Sequence, residues 1–159
     1  MKKLITIIAA ILCFVLPFAY ADTAAVIAEA KSHLGKPYRY GAKGPKRFDC
    51  SGFTYYCFYT IEEIKLFRSA KDQGYDESYE KIEGINNLIP GDLVCFNTKL
   101  GDKDLSDHVG IYLGNGDFIH CSSGKRRGVV ISTLLEGYYN ERFSWGRRIL
   151  GGEIDEYND

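Results

Sequence analysis

The stretch KRFDCSGFTYY, residues 46–56, decides the fold because it marks the start of a helix and places a cysteine there. Asp49 is a preferred N-cap residue, and apolar side chains follow it at the spacing of one helical face. These side chains are Phe53, Cys57, Ile61 and Ile64. The pattern predicts a helix from about Cys50 to about Phe67. The Cys50 thiol could pack in the core, form a disulfide, bind a metal or act as a nucleophile.

Residues 1–21 have the pattern of a secretory signal peptide. Lys2 and Lys3 precede an apolar run, and Ala19-Tyr20-Ala21 provides small residues for cleavage. The run from Leu4 to Val15 is short for a bilayer span, so we expect no stable membrane anchor after cleavage. The pattern therefore predicts an exported protein, located in the periplasm, in the cell envelope or outside the cell.

Residues 22–159 show no linker or internal repeat, and we interpret them as a single domain. A chain of this size can bury a core without needing disulfides. The full sequence has 20 basic and 21 acidic residues. This balance gives no reason to expect nucleic acid as a partner. We expect a monomer.

Four cysteines follow the predicted signal peptide, at positions 50, 57, 95 and 121. An even number in an exported protein suggests disulfides, but Cys95 and Cys121 lie in apolar strand-like runs and Cys57 lies on the buried helical face. We therefore interpret these three as core thiols. Because the sequence has no Cys-x-x-Cys pair, it predicts no zinc site. We expect no cofactor.

The order of elements indicates an α+β fold, with N-terminal helices packed on an antiparallel sheet. Apolar periodicity predicts a first helix over residues 23–34, and residues 68–88 are expected to form a loop with one short helix at most. Short β patterns then follow, separated by Gly-, Asn- and Asp-rich turns. They cover residues 92–96, 108–113, 117–121, 129–132 and 147–150.

The position of Cys50 favours a nucleophile, since unpaired N–H groups at a helix start stabilise a thiolate and lower its pKa. A base is then needed, and the chain has three histidines. His33 lies near the end of the first helix, where an exposed or partly packed side chain is expected. His108 and His120 lie on neighbouring predicted strands, so His108 is the candidate base and His120 its orienting partner. A coincidental polar pair is the alternative.

The turn between these strands decides whether the two histidines share a face. They are twelve residues apart, so a plain two-residue Asn-Gly loop would place them on opposite faces. We therefore predict a three-residue connection with a left-handed Gly116, or an equivalent bulge nearby.

Several motifs resemble those of the NlpC-type family of bacterial cell-wall cysteine peptidases, which have a reduced papain-like fold. They are YRYGAKGPKRFDCSGF, IPGDLVCF and DHVGIYLGNGDFIHCSS, and the similarity extends to about Leu150. The resemblance implies that Cys50 is the nucleophile, His108 the general base and then acid, and His120 the residue that orients His108. It also implies an oxyanion contact from Tyr38, and substrate contacts from Asp49 and Ser51.

The implied substrate is a peptidoglycan stem peptide, cut between γ-linked D-glutamate and a diamino acid. From the residues alone, Tyr38 could be a packed loop aromatic, Asp49 only a cap and Ser51 only a first-turn residue. Ala42 stands where the family usually has glycine, and Cys57 and Cys121 occupy positions more often aliphatic or small. Two other functions fit the same fold: a non-catalytic wall-binding module, and a secreted effector against competing bacteria.

Overall fold

The computed structural model describes residues 23–99, 105–124 and 127–151. The predicted signal peptide at residues 1–21 lies outside the described residues. Within the described ranges, none of the helices has the length and apolar character needed to cross a bilayer. The helices are α1 (residues 23–32), α2 (Cys50–Glu62), α3 (Ala70–Tyr75) and α4 (Gly137–Asn140). The strands are β1 (Glu80–Ile82), β2 (Leu93–Phe96), β3 (His108–Gly114), β4 (Asp117–Ser122), β5 (Gly128–Thr133) and β6 (Phe143–Arg148).

The strands form one six-stranded sheet in the order β1-β6-β2-β3-β4-β5, and each described pairing is antiparallel. The prediction of an α+β fold with an antiparallel sheet is therefore confirmed. The predicted last strand, residues 147–150, is misplaced, since β6 covers Phe143–Arg148. Phe143 and Trp145 have the alternating apolar pattern of a strand, but Gly146 and two arginines interrupt it.

Helix α2 begins at Cys50, as predicted, and the Asp49 carboxylate accepts a hydrogen bond from the Gly52 N–H at 2.7 Å. The helix ends at Glu62, earlier than the expected Phe67, because Glu63 adopts a left-handed conformation at φ 58°. The apolar periodicity beyond this point reflects packing rather than helix, since Ile64 and Leu66 still pack against the core.

The first turn of α2 packs closely against the loop that precedes it. A Cβ placed on Gly52 would clash with the backbone carbonyl of Ala42. The absence of a side chain at Gly52 therefore allows the protein's own backbone to approach the start of the helix closely. The Asp49 N–H also donates to the Ala42 carbonyl at 2.9 Å, so loop and helix are joined at two points.

The core lies on both faces of the sheet. Side chains alternate along β3 and β4, so that Ile111 and Ile119 pack with α2, whereas Tyr112 and Phe118 belong to a second cluster. Cys57, Cys95 and Cys121 are fully buried, which confirms the prediction of core thiols, and all four described cysteines are free.

The β3–β4 hairpin has a two-residue Asn115-Gly116 turn with positive φ at both residues, 54° and 83°. The pairing shifts between Tyr112 and Gly114, which is a bulge one step before the turn. The left-handed Gly116 and a nearby bulge are thus confirmed, although the loop has two residues instead of three. The bulge restores the register that places His108 and His120 on one face.

Residues 68–88 hold more structure than the sequence indicated. They contain the expected short helix, α3, but also strand β1 and a 3₁₀ turn at Ile85–Asn87. Gln73 on α3 is buried and bonds to Thr54 at 2.7 Å and to the Ser51 carbonyl at 3.0 Å. This segment therefore supports the first turn of α2 directly.

Candidate active site

Cys50 lies at the first position of α2, against the strand end where β3 begins. Its side chain packs against a cluster formed by Ala70, Cys95, Val109 and Trp145, but part of its surface stays accessible. The backbone N–H of Val109 is close enough to the sulfur to lower the pKa of the Cys50 thiol. Cys50 is therefore adjacent to the strand that carries His108.

A cavity of about 590 Å³ brings the predicted residues together. Cys50 and His108 both line it, with Tyr38, Asp49 and Ser51 around them. His120 lies behind His108, on the neighbouring strand. His33 does not line this cavity; it is buried and packs edge-on against Phe48, with ring centroids 5.0 Å apart.

The two predicted histidines are directly hydrogen bonded, with His108 Nε2 and His120 Nδ1 2.8 Å apart. Gly110 makes this contact possible, since a Cβ there would lie 3.0 Å from the His120 Cβ and 2.8 Å from the Phe118 ring. Because Nε2 of His108 faces His120, Nδ1 is the ring nitrogen left to exchange a proton with Cys50.

The resting protonation states differ from the sequence prediction. Burial, followed by the Asp49 carboxylate, raises the pKa of Cys50 to about 11, although backbone N–H groups of Ser51, Val109 and Cys50 act in the opposite direction. The predicted lowering of this pKa is wrong because desolvation outweighs the helix start. Burial also lowers the pKa of His108 to about 4. The pair therefore rests as a neutral thiol beside a neutral imidazole.

His120 is held neutral as well. Burial lowers the pKa of this side chain, and a charge on His108 would lower it further. Its ring lies between aromatic neighbours, with the Phe118 centroid at 4.7 Å and the Tyr139 centroid at 4.9 Å. A neutral His120 can accept a hydrogen bond from His108 at Nδ1, which is what an orienting residue must do.

The Asp49 carboxylate is fully engaged by the protein. It accepts hydrogen bonds from the N–H groups of Gly41 and Gly52 and forms a two-pronged ion pair with Arg68. Arg68 also donates to Ser51 Oγ at 3.0 Å. Asp49 therefore fixes both the loop and the helix start, and Arg68 presents a positive charge to the cavity.

Tyr38 lies at the rim of the cavity and is half-buried. Burial first, and a charge on Cys50 second, raise the pKa of its hydroxyl. The hydroxyl is therefore protonated at neutral pH and can donate a hydrogen bond to an oxyanion.

Three side chains that support the site were not found from the sequence. Arg68 lies in a segment whose sequence shows no clear periodicity. Only its positive charge could have indicated that it belongs to the site. Ser132 bonds to His120 Nε2 at 3.0 Å, and Tyr139 packs on both histidines. Strand alternation places Ser132 on one face of β5, but only the sheet order shows that His120 lies beside it.

No group of three or more residues of the kinds that bind metals is brought together in the part of the chain that the structure describes. The arrangement instead combines a thiol at a helix start, an imidazole and a second imidazole that orients the first. An α+β fold with this constellation defines the class of cysteine hydrolases with a thiol-imidazole pair.

The sequence pattern of the NlpC/P60 family matches residues 35–148. The chain is 39% identical over 134 residues to "Probable endopeptidase NlpC" of Escherichia coli strain K12, covering 81% of this chain and 82% of that protein. It is 38% identical over 132 residues to "Probable endopeptidase YafL" of the same strain, covering 82% and 51%. The chain belongs to the NlpC/P60 family.

Solved structures agree with this assignment. The NlpC/p60 domain of the peptidoglycan hydrolase SagA is 28% identical with a TM-score of 0.67, covering 80% of this chain and 98% of that one. A family protein from Bacillus cereus is 30% identical with a TM-score of 0.70, covering 80% and 40%. The chain spans about half the length, or less, of the first curated relatives it matches.

Proposed function

We propose that this protein is an exported cysteine endopeptidase that hydrolyses amide bonds in peptidoglycan stem peptides. The observation that carries the proposal is the single cavity lined by Cys50 and His108, with His120 bonded to His108 from behind. Relatives named as endopeptidases support the same reaction class. The proposed bond joins the γ-carboxyl of D-glutamate to a diamino acid; another relative, from Bacillus subtilis, is named gamma-DL-glutamyl hydrolase.

The reaction begins with two neutral groups. As Cys50 Sγ attacks the amide carbon, its proton passes to Nδ1 of His108, and the carbonyl π electrons move to the oxygen. The Tyr38 hydroxyl and the Cys50 N–H are the donors for that oxyanion. A well-placed oxyanion donor contributes about 3 to 4 kcal/mol to the transition state.

Collapse of this intermediate breaks the C–N bond, and His108 Nδ1–H protonates the leaving amine. The neutral imidazole then takes a proton from water, which attacks the thioester and releases the acid product and the thiol. His120 holds the His108 ring in place throughout by accepting from Nε2–H. Asp49 and Ser51 shape the substrate side of the cavity, with Arg68 bonded to both.

The decisive experiment is digestion of purified sacculi, with released fragments identified by mass spectrometry. We expect wild-type protein to release peptides cut after γ-linked D-glutamate, and Cys50→Ala to lose at least about 10³-fold in rate. Cys57→Ala is the matched control, because it removes a thiol from the core and leaves the cavity unchanged. Hydrolysis by Cys50→Ala at the wild-type rate would refute the nucleophile assignment.

Other outcomes separate the alternatives. Tight binding of sacculi without any released peptide favours a non-catalytic wall-binding module. Killing of neighbouring bacteria, with protection by a gene encoded beside this one, favours an effector that uses the same chemistry. Cell fractionation with and without residues 1–21 tests the proposed export.

A further inference from the structure

The hydrogen-bonded chain that begins at His108 does not end at His120. His120 Nε2 lies 3.0 Å from Ser132 Oγ on the next strand. Ser132 pairs with Phe118 across β4 and β5, so its side chain is on the same face as His120 and one diagonal step away. Three side chains on three adjacent strands therefore form one continuous polar line through an apolar region.

The direction of the hydrogens in this line determines whether His108 can act as a base. Its Nδ1 can accept a proton only in the tautomer that carries hydrogen on Nε2, and that hydrogen must be donated to His120 Nδ1. His120 then carries its own hydrogen on Nε2, facing Ser132. In the opposite arrangement His120 donates from Nδ1, and His108 carries its hydrogen on the nitrogen that should receive the thiol proton.

Ser132 favours the productive arrangement because its hydroxyl oxygen can accept from His120 Nε2–H. The hydroxyl hydrogen of Ser132 can point away from His120, because Ser132 is half-exposed and lines a second cavity of about 430 Å³. Asp117 and Glu136 line that cavity too, so the hydroxyl hydrogen can point into a polar space away from His120. The oxygen lone pair is thereby left for His120.

The surroundings of His120 offer its Nε2–H no described alternative. The ring is fully buried, and the contacts on its faces and edges are aromatic, from Phe118 and Tyr139. In such a low-dielectric region an unpartnered N–H is costly, so loss of the Ser132 hydroxyl shifts His120 toward the tautomer that misdirects His108.

We propose that Ser132 is a positioning residue for the proposed hydrolysis, which selects the Nε2–H tautomer of His120 and thereby keeps Nδ1 of His108 free to receive the Cys50 proton. The inference rests on the proposed function for its kinetic consequences. The tautomer of His120 can be tested without any substrate.

The test compares Ser132→Thr with Ser132→Val, two β-branched residues of similar shape that suit a strand and differ in the hydroxyl. A wrong tautomer beside a catalytic histidine lowers kcat by up to about 10⁴-fold, and for a residue one step further away we expect about tenfold. Ser132→Val should therefore lose about tenfold in kcat with KM unchanged, and Ser132→Thr should stay within about threefold of wild type. Ser132→Ala provides the same loss if the valine does not fold.

The second readout is ¹⁵N NMR of the imidazole nitrogens, which distinguishes the two tautomers of His120 directly. We expect Nε2–H in wild type and Ser132→Thr, and a substantial Nδ1–H fraction in Ser132→Val and Ser132→Ala. An unchanged tautomer with unchanged kcat in Ser132→Val overturns the proposal, and so does an equal loss in the threonine and valine variants. If wild type hydrolyses no stem peptide, the proposed function fails and the NMR comparison alone decides the role of Ser132.

Discussion

Cys50 and His108 are the two residues on which the proposed chemistry depends, and burial keeps both side chains neutral. The thiol is not activated in advance, because burial and the adjacent Asp49 keep its proton in place. In the proposed mechanism, activation therefore occurs during attack, when the Cys50 sulfur passes that proton to the His108 imidazole. Burial lowers the pKa of His108, so its imidazole stays neutral and can accept a proton across a wide pH range.

The fall of activity at low pH should reflect the lowered pKa of His108. Burial lowers the pKa of His108 to about 4, so the neutral base is present above that pH and is lost as the pH falls through it. We expect kcat/KM on a soluble stem peptide to hold from neutral pH to about 5 and to fall near 4. The pH profile measures this, with thermal unfolding at each pH as the control.

An acid limb near 6.5 would contradict the expectation, since that is the ordinary value for an exposed imidazole. The proposed roles of Cys50, His108 and His120 can be predicted from the sequence, because a helix-start cysteine and two histidines on adjacent strands are visible as patterns. The resting pKa of Cys50 does not follow, because it depends on how completely the folded chain excludes water.

The β3–β4 hairpin is the element that joins the two histidines. Gly110 lies at its centre, where a side chain would meet the Ile119 carbonyl, the Phe118 ring and the His120 Cβ. The strands can therefore approach closely only if residue 110 has no side chain.

Gly110→Ala tests this requirement. The added methyl must push β3 from β4, which costs about 1 to 3 kcal/mol as overpacking and displaces His120 from His108. We expect a lower unfolding midpoint and a loss of kcat in the same variant. Gly124→Ala is the control, since Gly124 is exposed and only the Ser122 hydroxyl approaches that position, at 3.3 Å. Wild-type stability and kcat in Gly110→Ala would show that the strands tolerate the methyl.

At the level of elements, the sequence predicts what local periodicity controls. The start of α2, the β3–β4 register and the left-handed Gly116 all follow from spacing and turn chemistry. The end of α2 and strand β1 do not, since Glu63 ends the helix without glycine or proline, and β1 consists of only three residues, two of them charged. Pairing with β6 makes it a strand.

We expect the molecule as a whole to be sensitive to acid, because burial lowers the pKa values of two of its histidines. Burial lowers the pKa values of His108 and His120, whereas both take up protons near pH 6.5 in the unfolded chain. The folded state is therefore favoured above pH 6.5, and this contribution is lost as the pH falls toward about 4. With about 1.4 kcal/mol per pKa unit, His108 alone contributes up to about 3 kcal/mol.

We expect the free energy of unfolding, measured by denaturant titration, to fall by a few kcal/mol between pH 6.5 and 4. His108→Gln should show a shallower fall, because glutamine takes up no proton in the unfolded chain. An equal pH slope in wild type and variant would place the acid sensitivity elsewhere.

The contact between Gly52 and Ala42 has a consequence for protein engineering. Cys50 and Tyr38, the proposed nucleophile and oxyanion donor, belong to one continuous segment, residues 38–52. Hydrogen bonds to Asp49 and the packing of the Ala42 carbonyl against the Gly52 α-carbon hold this segment together. Transplanting Cys50 into another scaffold without that loop would leave out Tyr38, the proposed oxyanion donor, so we expect that the whole segment must be grafted to keep the two together.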